Sequence, residues 1–138
     1  MLYHIPPILS PDLLWTLRAM GHGDEIVIAD ANFPAEGLEP KTLRLDGISA
    51  TDTLAAVVQL LPLDTYVPTP ANTMQVVGDP DAVPEIVTAF QALIPDHTIG
   101  SIERFAFYER AAKAFAVVQT GETRLYGNII LTKGVIGT

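Results

Sequence analysis

The sequence predicts an α/β protein built in three layers. Three observations carry that expectation. Short β-branched runs such as Glu25-Ile-Val-Ile-Ala29 interleave with stretches of helical period, capping residues stand where helices would start, and 49% of the 138 residues are hydrophobic.

Ser10-Pro11-Asp12 opens the first helix. Ser10 caps it, Pro11 suits the first helical position, and Asp12 suits the positive end of the helix dipole. Leu13, Leu14, Leu17 and Met20 share one face, and Gly21 is the expected stop. Glu25 to Ala29 reads as a strand buried on both faces. Residues 32–40 read as loop, and 42–45 as a short alternating strand closed by Asp46-Gly47. Ser49 to Asp52 has the form of a capping box with Asp in place of the usual Glu. The helix that follows runs to about residue 61, where Pro62 ends it.

Residues 63–72, LDTYVPTPAN, hold two prolines and read as an extended loop. A strand is expected over 74–77. A helix over 84–94 should turn Ile86, Val87, Phe90, Leu93 and Ile94 inward. Residues 99–103 read as strand, 105–112 as helix, and 114–118 and 129–131 as further strands, with a turn at Thr120-Gly121. There is no repeat, low-complexity tract or linker, so residues 1–138 are expected to form a single domain. A chain of this length buries roughly two thirds of its unfolded surface.

The bulk properties exclude several function classes. Eight basic residues against sixteen acidic ones give a net charge of −8, which leaves no patch able to neutralise many phosphates. Nucleic acid is therefore not an expected partner. There is no cysteine, hence no disulfide, thiolate nucleophile or cysteine-based zinc site, which suits a reducing, cytoplasmic setting. No apolar run reaches the roughly 18 residues of a membrane span, and the N-terminal stretch MLYHIPPILSPDLL lacks the form of a secretory signal. A mean hydropathy of +0.31 without a membrane segment points instead to burial between subunits of a homo-oligomer.

The chemistry-bearing residues are few. The sequence contains no G-x-G-x-x-G, Walker A, G-x-S-x-G or H-E-x-x-H pattern, and His4, His22 and His97 have no metal-ligand spacing, so neither cofactor nor metal is expected. His22 lies between two glycines. It reads either as a polar link near the negative end of the first helix or as a general acid–base group, since imidazole exchanges protons near neutral pH. Asp30 follows the last apolar residue of its strand, where ligands of open α/β sheets bind; an Asx-type cap is the other reading. Asp64 is a turn acid or a ligand contact in the proline-bounded loop. Arg104, Tyr108, Tyr126 and Asn128 are polar groups in apolar segments and need partners, structural or bound. Glu109, Arg110 and Lys113 suit a solvated helix face or a subunit contact. One histidine with carboxylates, tyrosines, an amide and an arginine suits a small neutral polyol and proton transfer.

Several stretches together carry a resemblance: the Ser10-Pro11 helix start, "MGHGDEIVIAD", "NFPA", "LRLDG", "LLPLDTYV", "RFAFYERAAKAFAVV" and "TGETRLYGNIILTKGV". In this order and over almost the whole chain, they resemble the RbsD/FucU family, and within it the L-fucose mutarotases. The sister D-ribose pyranases are similar around His22 and Asp30. The resemblance implies an α/β/α sandwich around a mixed sheet, assembled as a homodecamer, and an aldose mutarotase without metal or cofactor. It implies His22 as proton donor and Asp30, Arg104, Tyr126 and Asn128 as sugar-binding residues, with Asp64, Met74 and Tyr108 as further pocket positions. Asn32 stands where some bacterial members carry histidine and others asparagine. Residues 78–98 match less well and imply nothing. The expected partner is a monosaccharide, L-fucose or D-ribose. Pyranose–furanose interconversion of D-ribose and non-catalytic sugar binding are the alternatives to L-fucose mutarotation. In this reading the strand after His22 brings Asp30 close to it.

Overall fold

The structure, a computed structural model, describes residues 1–137. In chain order the elements are α1 (Pro11–Ala19), β1 (Glu25–Ala29), a 3-10 turn (Ala35–Gly37), β2 (Lys41–Leu45), α2 (Ala50–Val58), β3 (Ala71–Met74), α3 (Glu85–Leu93), β4 (Ile99–Ile102), α4 (Arg104–Ala111), β5 (Ala116–Thr120) and β6 (Ile129–Thr132). The strands form one sheet in the order β2-β5-β1-β6-β3-β4. β6 runs antiparallel to both its neighbours, and every other neighbouring pair is parallel. One edge of the sheet therefore gathers the carboxyl ends of five strands and the amino end of β6.

Alternation along the strands builds two cores. Ile26 and Ile28 of β1, Ala116 and Val118 of β5, and Ile129 and Leu131 of β6 face α1, α2 and α3. Leu13, Leu54, Val57, Ile86 and Phe90 meet them there. The intervening Val27, Val117 and Ile130 face the other way, against Phe107 and Ala111 of α4 and Phe33. The result is three layers, with three helices on one face and α4 on the other. Both faces of β1 are covered, which is why it reads as a continuous apolar run.

The helix starts follow the sequence. The N–H of Leu13 donates to Ser10 Oγ (3.2 Å) and that of Asp52 to Ser49 Oγ (3.1 Å). Other expectations shift. The stop of α1 is not a left-handed Gly21. The chain leaves through Met20 in an extended conformation, the positive φ falls at Gly23 (85°), and Asp24 accepts from the Gly21 N–H (2.8 Å). The third strand is Ala71–Met74 rather than 74–77, and takes in two residues read as loop. Its position is set by pairing with β4 on one side and β6 on the other, with Thr73 its single β-branched residue. Its polar members are buried with their bonds made: Asn72 Nδ2 donates to Thr69 O (2.9 Å) and Thr73 Oγ1 to Gly100 O (3.4 Å). β5 ends at Thr120, two residues later than expected, because it stays paired with β2 up to Leu45. Leu93, expected inward, is 37% exposed at the end of α3.

Candidate functional site

The edge that collects the carboxyl ends of the parallel strands carries a depression of about 240 Å³. Six of the residues expected at a sugar site line it: Asp30 after β1, Met74 at the end of β3, Arg104 and Tyr108 on α4, and Tyr126 and Asn128 before β6. Asn32 joins them. Asp30 and Asn128 hold each other twice. The Asp30 N–H donates to Asn128 Oδ1 (2.8 Å), and Asn128 Nδ2 donates to Asp30 Oδ2 (3.2 Å). The Asn32 N–H donates to Asp30 Oδ1 (3.0 Å), so the Asx turn expected as an alternative exists alongside the pocket position. Burial pushes the Asp30 carboxyl up from its ordinary value, against hydrogen bonds from the Asn32 backbone, the Asn128 side chain and the backbones of Gly127 and Phe33.

The loop into β6 is shaped for close packing. Tyr126 has a positive φ of 63°, sparsely populated for a residue with a side chain, and its hydroxyl accepts from the Val77 N–H (3.1 Å). A Cβ on Gly127 would lie 2.8 Å from Ile86 Cδ1 and 2.9 Å from Glu122 Cγ, so only glycine fits there without rearrangement. The Arg104 guanidinium lies 4.5 Å from the Phe105 ring centre, and its Nε is buried with no hydrogen-bond partner among the described residues. A buried donor left unpaired costs free energy.

His22 and Asp64 are elsewhere. His22 Nε2 and Asp64 Oδ1 are 3.0 Å apart, with the His22 side chain 44% exposed and that of Asp64 4%. The pair sits at the opposite edge of the sheet, where the N–H of Gly23 donates to Lys133 O and that of Asp64 to Thr132 O, beyond the carboxyl end of β6. Five residues of strand, roughly 16 Å, separate this edge from Asp30. Within one copy of the chain, β1 therefore holds His22 and Asp30 apart, contrary to the expectation that it brings them together. Burial of Asp64 raises its carboxyl, but the Tyr66 N–H, the His22 ring and the Thr65 N–H outweigh that and hold it below the usual carboxylate range. The Tyr66 ring packs 5.3 Å from the His22 ring and is 75% exposed.

Three apolar residues in the depression, Phe33, Val77 and Leu125, were not anticipated. Phe33 packs on Tyr108 (5.6 Å between ring centres) and had a signal in "NFPA", an aromatic three residues after the candidate ligand Asp30. Val77 and Leu125 had none. Among the described residues no cluster of three or more His, Cys, Asp or Glu could hold a metal ion, and no helix is long and apolar enough to cross a membrane. A second depression, of about 280 Å³ under the N-terminal segment, is lined by apolar side chains and Ser10, whose hydroxyl already caps α1.

A bovine protein named fucose mutarotase is 49% identical over 96% of this chain and 92% of its own length. The structure of a fucose mutarotase from Streptococcus pneumoniae in complex with L-fucose superposes with a TM-score of 0.92 at 48% identity, covering 99% of this chain and all of that one. RbsD of Bacillus subtilis complexed with D-ribose is more distant, with a TM-score of 0.78 at 26% identity over 99% of this chain and all of that one. Residues 3–136 match the RbsD/FucU transport protein family, and the chain belongs to that family.

Proposed function

We propose that this protein is an L-fucose mutarotase, an isomerase that interconverts the α and β anomers of the sugar. One observation carries the reading beyond similarity: Arg104 and the paired Asp30 and Asn128 converge on one depression. Hydroxyls of a monosaccharide can donate to the carboxylate and accept from the guanidinium and the amide. Phe33, Met74 and Tyr108 give the apolar wall that a sugar ring's C–H face needs.

Mutarotation breaks the bond between C1 and the ring oxygen. A proton leaves the C1 hydroxyl, another reaches the ring oxygen, and an open-chain aldehyde results. Rotation about C1–C2 and readdition give the other anomer. Both oxygens are bonded to C1, so one imidazole can take the proton from the C1 hydroxyl and give it to the ring oxygen. His22 is the group we assign to this. With Asp64 ionised, Nε2–H faces its carboxylate, and Nδ1 is left for the sugar. Positioned acid–base catalysis of this kind contributes about 10²–10⁴-fold.

Asp30 and His22 of one copy cannot both touch one sugar. The complete site in this reading joins the Asp30–Asn128 edge of one copy to the His22–Asp64 edge of another, which requires a homo-oligomer. A decamer acting in the cytoplasm is the form the family resemblance favours. The test is saturation-transfer NMR between the anomers of L-fucose, with D-ribose in parallel. Wild type should accelerate exchange, His22→Ala should not, and Asn128→Ala should do so only at much higher sugar concentration. If wild type leaves both sugars at their uncatalysed rates, the proposal fails.

A further inference from the structure

We infer that Glu122, which does not line the depression, is a positioning residue that sets the spacing between Asp30 and Asn128. The inference rests on the reading that these two hold the sugar. Glu122 is 4% exposed, and its carboxylate is used at both oxygens. Oε1 accepts from the Ala50 N–H at the start of α2 (3.2 Å) and from Arg124 Nη2 (2.9 Å). Oε2 accepts from the Arg124 N–H (3.0 Å) and Nε (3.1 Å). Arg124 Nη2 also donates to Thr51 Oγ1 (3.0 Å), a second tie to α2.

The backbone of the same residue reaches the other side of the site. Glu122 O accepts from the N–H of Ala31, the residue after Asp30 (2.9 Å). Its own N–H donates to Thr120 Oγ1 (3.2 Å), which in turn donates to Ala29 O, the residue before Asp30 (2.8 Å). Gly127, between Tyr126 and Asn128, packs against Glu122 Cγ closely enough to exclude a Cβ. One residue thus connects α2, both neighbours of Asp30, and the loop that presents Tyr126 and Asn128. An apolar side chain of the same volume could fill the space. It could not hold two backbone N–H groups from different segments at fixed distances, which is what a carboxylate with several acceptor positions does. Displacing positioning elements by about an ångström costs up to about a hundredfold in rate or binding.

The experiment measures L-fucose anomerisation against sugar concentration for wild type, Glu122→Gln, Arg124→Gln, Arg124→Lys, Asn128→Ala and the double variant Glu122→Gln/Asn128→Ala, with a thermal melt of each. Glu122→Gln and Arg124→Gln are expected to raise KM about ten- to a hundredfold while kcat stays within about twofold. Arg124→Lys should recover part of the loss, and the double variant should be no worse than Asn128→Ala alone, since both act on one contact. Should Glu122→Gln not fold, the Arg124 variants carry the same test on a residue with 37% side-chain exposure. A lowered melting temperature with unchanged KM in the Glu122 and Arg124 variants would make Glu122 purely structural and overturn the inference. An unchanged KM in Asn128→Ala overturns the reading of the site, and the inference with it.

Discussion

A mixing experiment separates a site shared between copies from one held within a single chain. His22→Ala removes the proposed acid–base group at one sheet edge, and Asn128→Ala breaks the proposed sugar-binding pair at the other. At a sugar concentration near the wild-type KM, each variant alone should be close to inactive. When the two are co-expressed in equal amounts, a shared site is intact only if the copy giving the His22 edge is the Asn128 variant and the copy giving the Asn128 edge is the His22 variant. Random assembly makes that about one site in four, whether the copies meet through a two-fold or a head-to-tail interface. The rough 16 Å length of β1 is what demands this, because no copy can apply both of its own edges to one monosaccharide. Saturation-transfer NMR on the mixture should therefore recover about a quarter of the wild-type rate per chain, given independent sites. Recovery of nothing, from mixed oligomers verified by mass spectrometry with distinguishable tags, would refute the shared site.

Four further outcomes are expected. Phe107→Ala empties the centre of the core under α4, where the side chain is fully buried, and should cost about 3–5 kcal/mol in urea titration; a cost under 1 kcal/mol would mean that the α4 layer is not a packed core. Gly127→Ala forces a Cβ against Ile86 and Glu122 and should cost about 1–3 kcal/mol together with a raised KM; full stability and activity would show that the loop gives way. Stability should fall as pH drops below about 4, since Asp64, Glu103 and Glu122 sit below the usual carboxylate range and their contribution is lost as each protonates. Asp30 has the opposite sign: its raised carboxyl makes the charged form a cost at neutral pH that protonation relieves, so Asp30→Asn should be at least as stable as wild type at pH 7 while binding the sugar poorly. A chemical-denaturation series from pH 3 to 8 checks both signs.

Much of the fold was legible because local signals agree with the tertiary structure. Ser10 and Ser49 cap the helices they announce, and Glu25–Ala29 is the strand its β-branched run suggests. β3 was not legible, because in Ala-Asn-Thr-Met only Thr73 favours a strand; its ladder partners and satisfied side chains put it in the sheet. The site residues on the sheet edge were readable as polar groups closing apolar segments. Their division into two edges was not. His22 and Asp30 are eight positions apart in sequence, and closeness in sequence reads as closeness in space until the intervening residues are seen to be fully extended. Glu122 lies in "TGETR", where an acid beside a turn looks like a surface charge. Only its burial against Ala50 and Arg124 sets it apart.

The antiparallel course of β6 has a consequence for how an assembly can end. Asn128 precedes the strand at one edge of the sheet, and Thr132 closes it at the other, where Asp64 is hydrogen-bonded. In the proposed shared site, every copy carries two unlike half-sites and serves two different sugar molecules. In an open row of copies, the first and last would each keep a half-site with no counterpart, and their share of the catalytic capacity would be idle. A closed arrangement leaves no such remainder: the number of complete sites equals the number of chains.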